Sequence, residues 1–268
     1  MYRSSGKEDC ARLCQIWNQQ MGLPAHQAEQ ILTQAAGLEN VYLAQQDGEI
    51  LAVLAAIPVS IQQMPGVCFY GAVELQQGAL QGLAEYAKQQ QLMHGKGFGV
   101  VAAGNGLDTF WQQQGFEPYF TLRRLRRSIR RNLWAQAQFD SITAARFAQL
   151  REKYCPQAVA VQQPAWVAQV MQMYSKGATT VETEHGYAVY FEKGETLEFV
   201  ELFARSDYDA QFLMEAARER TGVEQAEITL PENSEICLGE GVREVCGMAN
   251  FWAVQPPANG GYMRLMLD

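Results

Sequence analysis

The sequence contains little histidine and no paired-cysteine motif, which removes the usual basis for a metal site. Its three histidines, His26, His94 and His185, are scattered, and none of its six cysteines lies in a Cys-x-x-Cys pair. Structural zinc sites need four such ligands at short, regular spacings. The sequence therefore predicts no metal, and it predicts the free thiols of a cytoplasmic protein instead of a disulfide framework.

Long apolar runs and an excess of basic residues are also missing. The longest apolar run, residues 51–59, is too short to span a membrane, and the N-terminal MYRSSGKED lacks the apolar core of a signal peptide. The net charge of −8 argues against nucleic acid as the main partner and favours a cationic substrate. We expect a cytoplasmic protein without a nucleic-acid or membrane partner, of unknown oligomeric state.

What the sequence does contain is clearest at residues 69–91, FYGAVELQQGALQGLAEYAKQQQ. The first part has the composition of a strand, and the apolar positions Leu80, Leu83, Ala84 and Ala87 follow helical spacing. A strand that runs into a helix through a glycine-containing turn exposes backbone N–H groups at the positive end of the helix. Such a turn is suited to a phosphate group.

The same plan occurs twice in the chain. Val200-Glu201-Leu202 repeats Val73-Glu74-Leu75, and a predicted helix at 208–220 repeats the helix after the first triplet. Upstream of each triplet lies a predicted hairpin, turning at Asp47-Gly48 and at His185-Gly186. Two halves built on one plan are the simplest explanation.

A two-domain organisation follows from this repeat and from the length of 268 residues, which suits two cores of ordinary size. The predicted fold class is mixed α/β, with each domain a mostly antiparallel mixed sheet flanked by helices. The predicted domains are residues 1–127 and 128–268. The first half has the tighter turn, because eleven residues separate Glu74 from Glu85 and fourteen separate Glu201 from Glu215.

Residues 123–131 hold six arginines in an otherwise acidic protein. One interpretation is a solvated edge strand and interdomain linker, charged to prevent edge pairing. The other is a phosphate-binding rim. We favour the charged edge.

A family resemblance rests on the fragment NGLDTFWQQQGFEPYF, residues 105–120, and on the order of the elements around it. This fragment resembles the GNAT superfamily of N-acetyltransferases, in which an Asn near the start of a short helix precedes Phe-Tyr-x-x-x-Gly-Phe. The second half, with HGYAVYFEKGETLEFVELFA and GYMRLMLD, resembles the C-terminal half of bacterial tandem GNAT proteins. The residues at the family's positions are Asn105, Phe110, Trp111, Gly115 and Phe116.

The resemblance implies acetyl-CoA as co-substrate, held where two neighbouring parallel strands part. Strand backbone would pair with the pantetheine arm, loop N–H groups would hold the pyrophosphate, and side chains after the next strand would contact the cofactor. By position, these are Val73, Glu74 and Leu75 for pantetheine, Gln76, Gln77, Gly78, Ala79 and Leu80 for pyrophosphate, and Asn105 and Trp111 as side-chain contacts.

Two positions depart from the family pattern. The family loop reads Arg/Gln-x-x-Gly-x-Gly/Ala, whereas this chain has only QQGAL, with Leu75 where Arg or Gln belongs. Trp111 stands where the family commonly has the Tyr that protonates the departing thiolate, and an indole N–H cannot deliver a proton. These departures favour the alternative function, a catalytically silent GNAT-like protein that binds an acyl-CoA or a protein partner.

The implied reaction is acetyl transfer to a primary amine of a small molecule or peptide. An alkylamine with a pKa of ~10 must lose a proton before it attacks. Glu74 is the predicted general base, although a strand carboxylate is equally often solvated or ion-paired, and Glu201 is its counterpart in the repeat. Tyr70, expected on the same strand face as Glu74, is the predicted substitute acid. The sequence does not identify the acceptor.

Overall fold

The computed structural model describes residues 1–162, 165–258 and 260–264, and its contacts divide the chain into two compact units. Unit 1 comprises Met1–Pro118, Ala160–Ala165 and Gly247–Pro256, and unit 2 is the rest of the described chain. The boundary predicted between residues 127 and 128 lies at the end of one strand, Glu117–Ser128.

Unit 1 is built on a mixed, mostly antiparallel sheet, as predicted. Its strands are β1 (Tyr2–Ser4), β2 (Val41–Gln46), β3 (Glu49–Ile61), β4 (Met64–Glu74), β5 (Phe98–Ala102) and residues 247–251 of β13 (Val242–Phe251). They lie in this order, and β4 and β5 form the parallel pair among them. A short strand, β8 (Ala160–Val161), pairs with the end of β3.

Helices cover both faces of this sheet. The helix predicted after β4 is confirmed, and its residues Leu80, Leu83, Ala84 and Ala87 are buried against β2, β3 and β4. Trp17 of the first helix packs on the other face. The helices are α1 (Cys10–Met21), α2 (Ala25–Gln30) with a π-helical continuation (Ile31–Ala36), α3 (Ala79–Met93) and α4 (Asp108–Gln113).

Unit 2 has a sheet in the order β6-β12-β11-β10-β9-β7, where β11 and β12 form the parallel pair among these strands. Its core lies on both faces, with α7 on one and α5 and α6 on the other. The strands are β6 (Glu117–Ser128), β7 (Gln138–Asp140), β9 (Thr179–Thr183), β10 (Gly186–Lys193), β11 (Thr196–Ala204) and β12 (Gln225–Pro231). The helices are α5 (Ala144–Tyr154), α6 (Ala165–Ser175) and α7 (Asp207–Thr221).

The repeat predicted from the sequence is present element by element. In unit 1 a hairpin, β2–β3, is followed by β4, α3 and the parallel strand β5. In unit 2 the hairpin β9–β10 is followed by β11, α7 and the parallel strand β12. The sequence also predicts a helix over 164–176 and a strand-like closing segment over 262–268, of which residue 164 and residues 265–268 lie outside the described residues. No helix within the described part of the chain is long and apolar enough to cross a membrane.

The arginine-rich stretch is neither a solvated edge nor a phosphate rim over most of its length. Arg123 is buried and donates to the carbonyls of Ile236, Cys237 and Gly239. Three more arginines have partners within unit 2, because β6 pairs with β12 and lies beside the loop at residues 236–239, whose backbone carbonyls accept hydrogen bonds. These contacts are Arg124 with Glu244, Arg126 with Glu227, and Arg127 with the carbonyl of Leu238.

A β-bulge shapes the end of β4. Val73 pairs with Val53 and Tyr70 with Ala55, so Gly71 and Ala72 together lie opposite the one residue between, Leu54. Gly71 has φ +62°, in the left-handed region, and its carbonyl accepts the indole N–H of Trp17 at 3.0 Å. A side chain at position 71 would overlap the Trp17 ring. Glycine is therefore required here both for conformation and for space.

We expect Gly71→Ala to lower the free energy of unfolding by about 2–5 kcal/mol, since it adds an unfavourable backbone conformation to an overlap with Trp17. Gly48→Ala is the matched control, because Gly48 has φ +87° and open space around it. That variant should cost only about 1–2 kcal/mol. Urea denaturation measures both, and equal losses would contradict the packing role of Gly71.

Candidate active site

The parallel strands β4 and β5 part after three residue pairs. Gly66, Val67 and Cys68 pair with residues 98–100, whereas β4 runs on to Glu74 without further pairing to β5. The carboxyl ends of parallel strands lie at one edge of a sheet, so Glu74 and Asn105, which follows β5, are at the same edge. This is the parted strand pair that the resemblance implied.

Most backbone N–H groups of the turn after β4 already donate hydrogen bonds within the protein. The N–H groups of Leu75 and Gln76 both donate to the carbonyl of Leu51, at 2.8 and 3.1 Å, and the N–H of Ala79 donates to the carbonyl of Gln76 at 3.1 Å. Val73 is buried, and residues 75–78 are exposed. Few donors of this short turn are therefore left for a ligand, as its length suggested.

Glu74 occupies the start of α3. Its Oε1 accepts the backbone N–H of Leu80 at 3.0 Å, and Gly78, with φ +84°, lets the chain enter the helix at this point. A carboxylate here satisfies one of the unpaired donors of the helix end and lies in the favourable field of the helix dipole. Glu74 thus takes the place in which the sequence predicted a phosphate.

Tyr70 does not share a strand face with Glu74, so that prediction was wrong. Tyr70 lies opposite Ala55 and Glu74 lies opposite Ala52, three residues apart on the regular strand β3. Residues an odd number apart point to opposite faces of a sheet. Tyr70 accordingly meets Trp17 edge-on with ring centroids 5.8 Å apart, whereas Glu74 faces α3.

Trp111 is part of the core of unit 1. It is 1% exposed and stacks on Phe69 with ring centroids 5.7 Å apart and an interplanar angle of 5°. Phe116 packs against its edge, and Trp252 lies beside Phe69. Phe69 is the first residue of β4 beyond the last pair with β5, where the two parting strands begin to enclose an open wedge. These rings therefore fill the start of the wedge on the face of the sheet that α3 covers.

Asn105 lies in an exposed loop and is used locally. Its Oδ1 accepts the backbone N–H of Leu107 at 3.1 Å, just before α4 begins. The neighbouring Gly104 N–H donates to the carboxylate of Asp108. The side-chain amide of Asn105 still faces solvent at the edge of the sheet where β4 and β5 end.

No protein-family model matches the sequence, and no curated protein matches it. Solved structures match over nearly its whole length. A GCN5-related N-acetyltransferase from Anabaena variabilis has a TM-score of 0.74 at 12% identity, covering 94% of this chain and 72% of that one. Eis1 from Mycobacterium abscessus has a TM-score of 0.73 at 13% identity, covering 94% and 73%. A tandem GNAT protein from the clavulanic acid biosynthesis pathway has a TM-score of 0.55 at 10% identity, covering 93% and 98%.

The chain has the tandem GNAT fold. At identities of 10–13%, this likeness establishes the fold alone. The acetyl-CoA that the resemblance implies has two parts to accommodate in unit 1, a pantetheine arm and a pyrophosphate.

The GNAT wedge of unit 1 fits the cofactor in one part and not in the other. Unpaired strand backbone beyond Cys68 suits the extended pantetheine arm. The turn does not fit a pyrophosphate, because four of its N–H groups, those of Leu75, Gln76, Ala79 and Leu80, are already bonded, and the Glu74 charge would repel the phosphates. The matching helix of unit 2, α7, is no better suited, since Asp207 and Asp209 lie in its first turn and Ser206 caps it.

Glu201, the repeat counterpart of Glu74, points to the opposite face of its own sheet. It pairs with Val189, which belongs to the core under α5 and α6, whereas Glu74 faces α3, the helix equivalent to α7. Glu201 is fully buried and Glu74 is exposed. The two strands are equivalent, but the two carboxylates are not.

Glu201 belongs to a buried polar cluster of unit 2 that the sequence did not predict. Its Oε2 accepts the hydroxyl of Tyr187 at 2.9 Å, and its Oε1 lies 3.2 Å from Nε of Arg151, without the alignment of a hydrogen bond. The Arg151 guanidinium lies over the ring of Trp166, 5.2 Å from its centroid, and near Tyr262 at 6.0 Å. This arrangement ties α5 to the middle of the sheet.

Burial dominates the electrostatics of this cluster. Burial raises the pKa of Glu201, against the opposing effects of the Arg151 charge and the Tyr187 hydroxyl. Burial also works against the charge on Arg151, but the Glu201 carboxylate and the Tyr187 and Tyr262 hydroxyls raise its pKa overall. Since it is fully buried and already paired, Glu201 is unsuited to accept a proton from a substrate. Within the described residues, no group of three His, Cys, Asp or Glu side chains could hold a metal ion.

We expect Arg151→Met and Glu201→Gln each to lower the free energy of unfolding by about 3–5 kcal/mol, because either change leaves the other group without its counter-charge. The double variant should lose much less than the sum. Urea denaturation of the four proteins gives the coupling energy directly. Additive losses would show that the pair does not interact.

The pH dependence provides a second check on the same pair. The folded-state pKa of Glu201 is raised above its ordinary value of 4.5, so its contribution to stability is full below that value and is lost as the pH rises through the folded pKa. Arg151→Met removes the opposing charge, so the stability of this variant should fall more steeply than that of the wild type as the pH rises above 4.5. When Glu201→Gln is added to Arg151→Met, this steeper loss of stability with rising pH should disappear, because the titrating carboxyl group is gone.

Proposed function

We propose that the protein is a GNAT-type N-acyltransferase that transfers an acetyl group from acetyl-CoA to a primary amine of a small molecule or peptide. The observation that carries this proposal is the parting of β4 and β5 after Cys68, on the strand that leads through the turn into α3. Strand backbone left unpaired beside its neighbour suits an extended, amide-bearing arm, which hydrogen bonds to it as another strand would.

Glu74 is the chain's candidate for accepting the amine proton. Its carboxylate is exposed at the edge where both parallel strands end, and Oε1 is held by the Leu80 N–H while Oε2 has no partner among the described residues. Tyr70 lies on the other face and is not part of this group. The net charge of −8 favours approach of a protonated amine.

A second candidate function, a catalytically silent GNAT-like protein, is supported by a specific observation. The turn that would hold the pyrophosphate is bonded to Leu51 and Glu74, and Trp111 is too deeply buried to touch a ligand. In this function unit 1 keeps the fold and binds an acyl-CoA or a protein partner without turnover. The two functions differ in whether acyl transfer takes place.

If the enzyme function is correct, acetyl-CoA should raise the melting temperature of the protein in a concentration-dependent way, because it binds the native state alone. ADP at the same concentrations is the control for the nucleotide portion of the cofactor. The absence of any shift with millimolar acetyl-CoA, or with longer acyl-CoAs, would support the silent protein instead.

Glu74→Gln separates the two functions sharply. As the base, Glu74 should be irreplaceable by an amide, and turnover at saturating acetyl-CoA should fall roughly 10²–10⁴-fold. If Glu74 only caps α3, turnover should not fall, and the variant should only bind acyl-CoA more tightly, because a like charge has left the helix end. Glu85→Gln, an equal charge change further along α3, is the matched control for both measurements.

A further inference from the structure

A cavity of about 330 Å³ lies in unit 2 between α6 and the hairpin of β10 and β11. It is separate from the buried Glu201 and lies on the α6 side of the sheet, away from α7. Its apolar wall is formed by Met173, Phe191 and Val200. The volume is at the small end of the range of roughly 300–1,000 Å³ that ligand pockets occupy.

The polar lining of the cavity carries an excess of positive charge. Lys176, Lys193 and Arg264 face one carboxylate, that of Glu198. Glu198 is paired with Lys193, and its other oxygen lies 3.8 Å from Nη2 of Arg264. One carboxylate therefore serves two cations, and Lys176 has no ion-pair partner among the described residues. In a protein with a net charge of −8, this local surplus of two positive charges is unusual.

The backbone of Arg264 is anchored, whereas the Nε of its side chain makes no hydrogen bond within the described chain. Its carbonyl accepts a hydrogen bond from Nη2 of Arg151 at 3.2 Å, and Arg151 is itself fixed beside Glu201. The Arg264 side chain is only 16% exposed, and the Nε of Arg264 is buried with no hydrogen-bond partner in the described chain. Arg264 lines the cavity, and its ion-pair contact with Glu198 is long at 3.8 Å.

We propose that this cavity binds a small organic anion, with a carboxylate or phosphate head group on a short apolar group. Arg264 and Lys176 bind the head group, because a guanidinium and an ammonium are the side chains that recognise such anions. Met173 and Phe191 contact the apolar group. Glu198 and Lys193, which neutralise each other, close the polar side. The site does not depend on acyl transfer in unit 1.

The test is calorimetric titration of the full-length protein with four probes. Hexanoate and hexyl phosphate carry the two head groups, inorganic phosphate carries a head group alone, and hexanol carries the apolar group alone. We expect one-to-one binding of hexanoate or hexyl phosphate, and binding of one but not the other identifies the head group. Phosphate and hexanol should each bind at least roughly tenfold more weakly, because each lacks one set of contacts.

Variants show whether binding occurs in this cavity. Lys176→Met and Arg264→Gln should each weaken the preferred probe roughly tenfold or more, because each removes a charged hydrogen bond. Lys176 is exposed at the end of α6, so its variant keeps the fold testable even if Arg264→Gln does not fold. Lys96→Met, in unit 1, makes the same charge change elsewhere and should bind as the wild type.

Three outcomes would overturn the proposal. They are no binding of any probe at 10 mM concentration (about the limit for a weak Kd of millimolar order), equal binding of hexanol and hexanoate, and wild-type affinity in Lys176→Met. The last result would place any binding outside this cavity. Because none of these measurements uses acyl-CoA, failure here is distinguishable from failure of the proposed reaction.

Discussion

Two parallel strands that part create a demand for hydrogen bonds, and the rest of unit 1 is arranged around how that demand is met. Strand backbone cannot be buried without partners. Beyond Cys68 the Trp17 indole reaches the Gly71 carbonyl, and the turn that follows β4 is held from the β3 side, where Leu51 takes two of its N–H groups. Glu74 then takes the first donor inside α3. A ligand at the turn has to compete with contacts that are already made.

Local patterns in the sequence predicted the elements well, because each element depends on residues close together in the chain. Apolar positions at helical spacing identified α3, and Asp47-Gly48 identified the turn of the first hairpin, where both residues have positive φ. The repeat of the whole plan gave the second sheet. These features follow from side-chain periodicity and backbone preference, which a sequence displays directly.

The faces of the strands were not predictable in the same way. One extra residue in the bulge at Gly71 reverses the alternation, and this put Tyr70 and Glu74 on opposite sides. The bulges also shift the two repeated triplets, Val73-Glu74-Leu75 and Val200-Glu201-Leu202, by one position relative to each other in strand register. In unit 2 the first regular pair after the bulge is Glu201 with Val189, whereas in unit 1 it is Val73 with Val53. In register, Glu201 therefore corresponds to Val73, and only the glycine in β4 hints at the shift.

That shift of one position gives the two units different chemistry. A carboxylate at the register position of Val73 has to be buried, and a buried carboxylate needs a cation and further hydrogen bonds. Arg151 and Tyr187 supply them. A buried ion pair rarely stabilises a fold more than apolar side chains of similar volume would, so its value lies in what it positions. Arg151 also donates to the backbone carbonyl of Arg264, a residue whose side chain lines the cavity beside α6. The residue that looked like a second catalytic base therefore pairs with Arg151 inside the fold, and Arg151 in turn holds the backbone at one wall of that cavity.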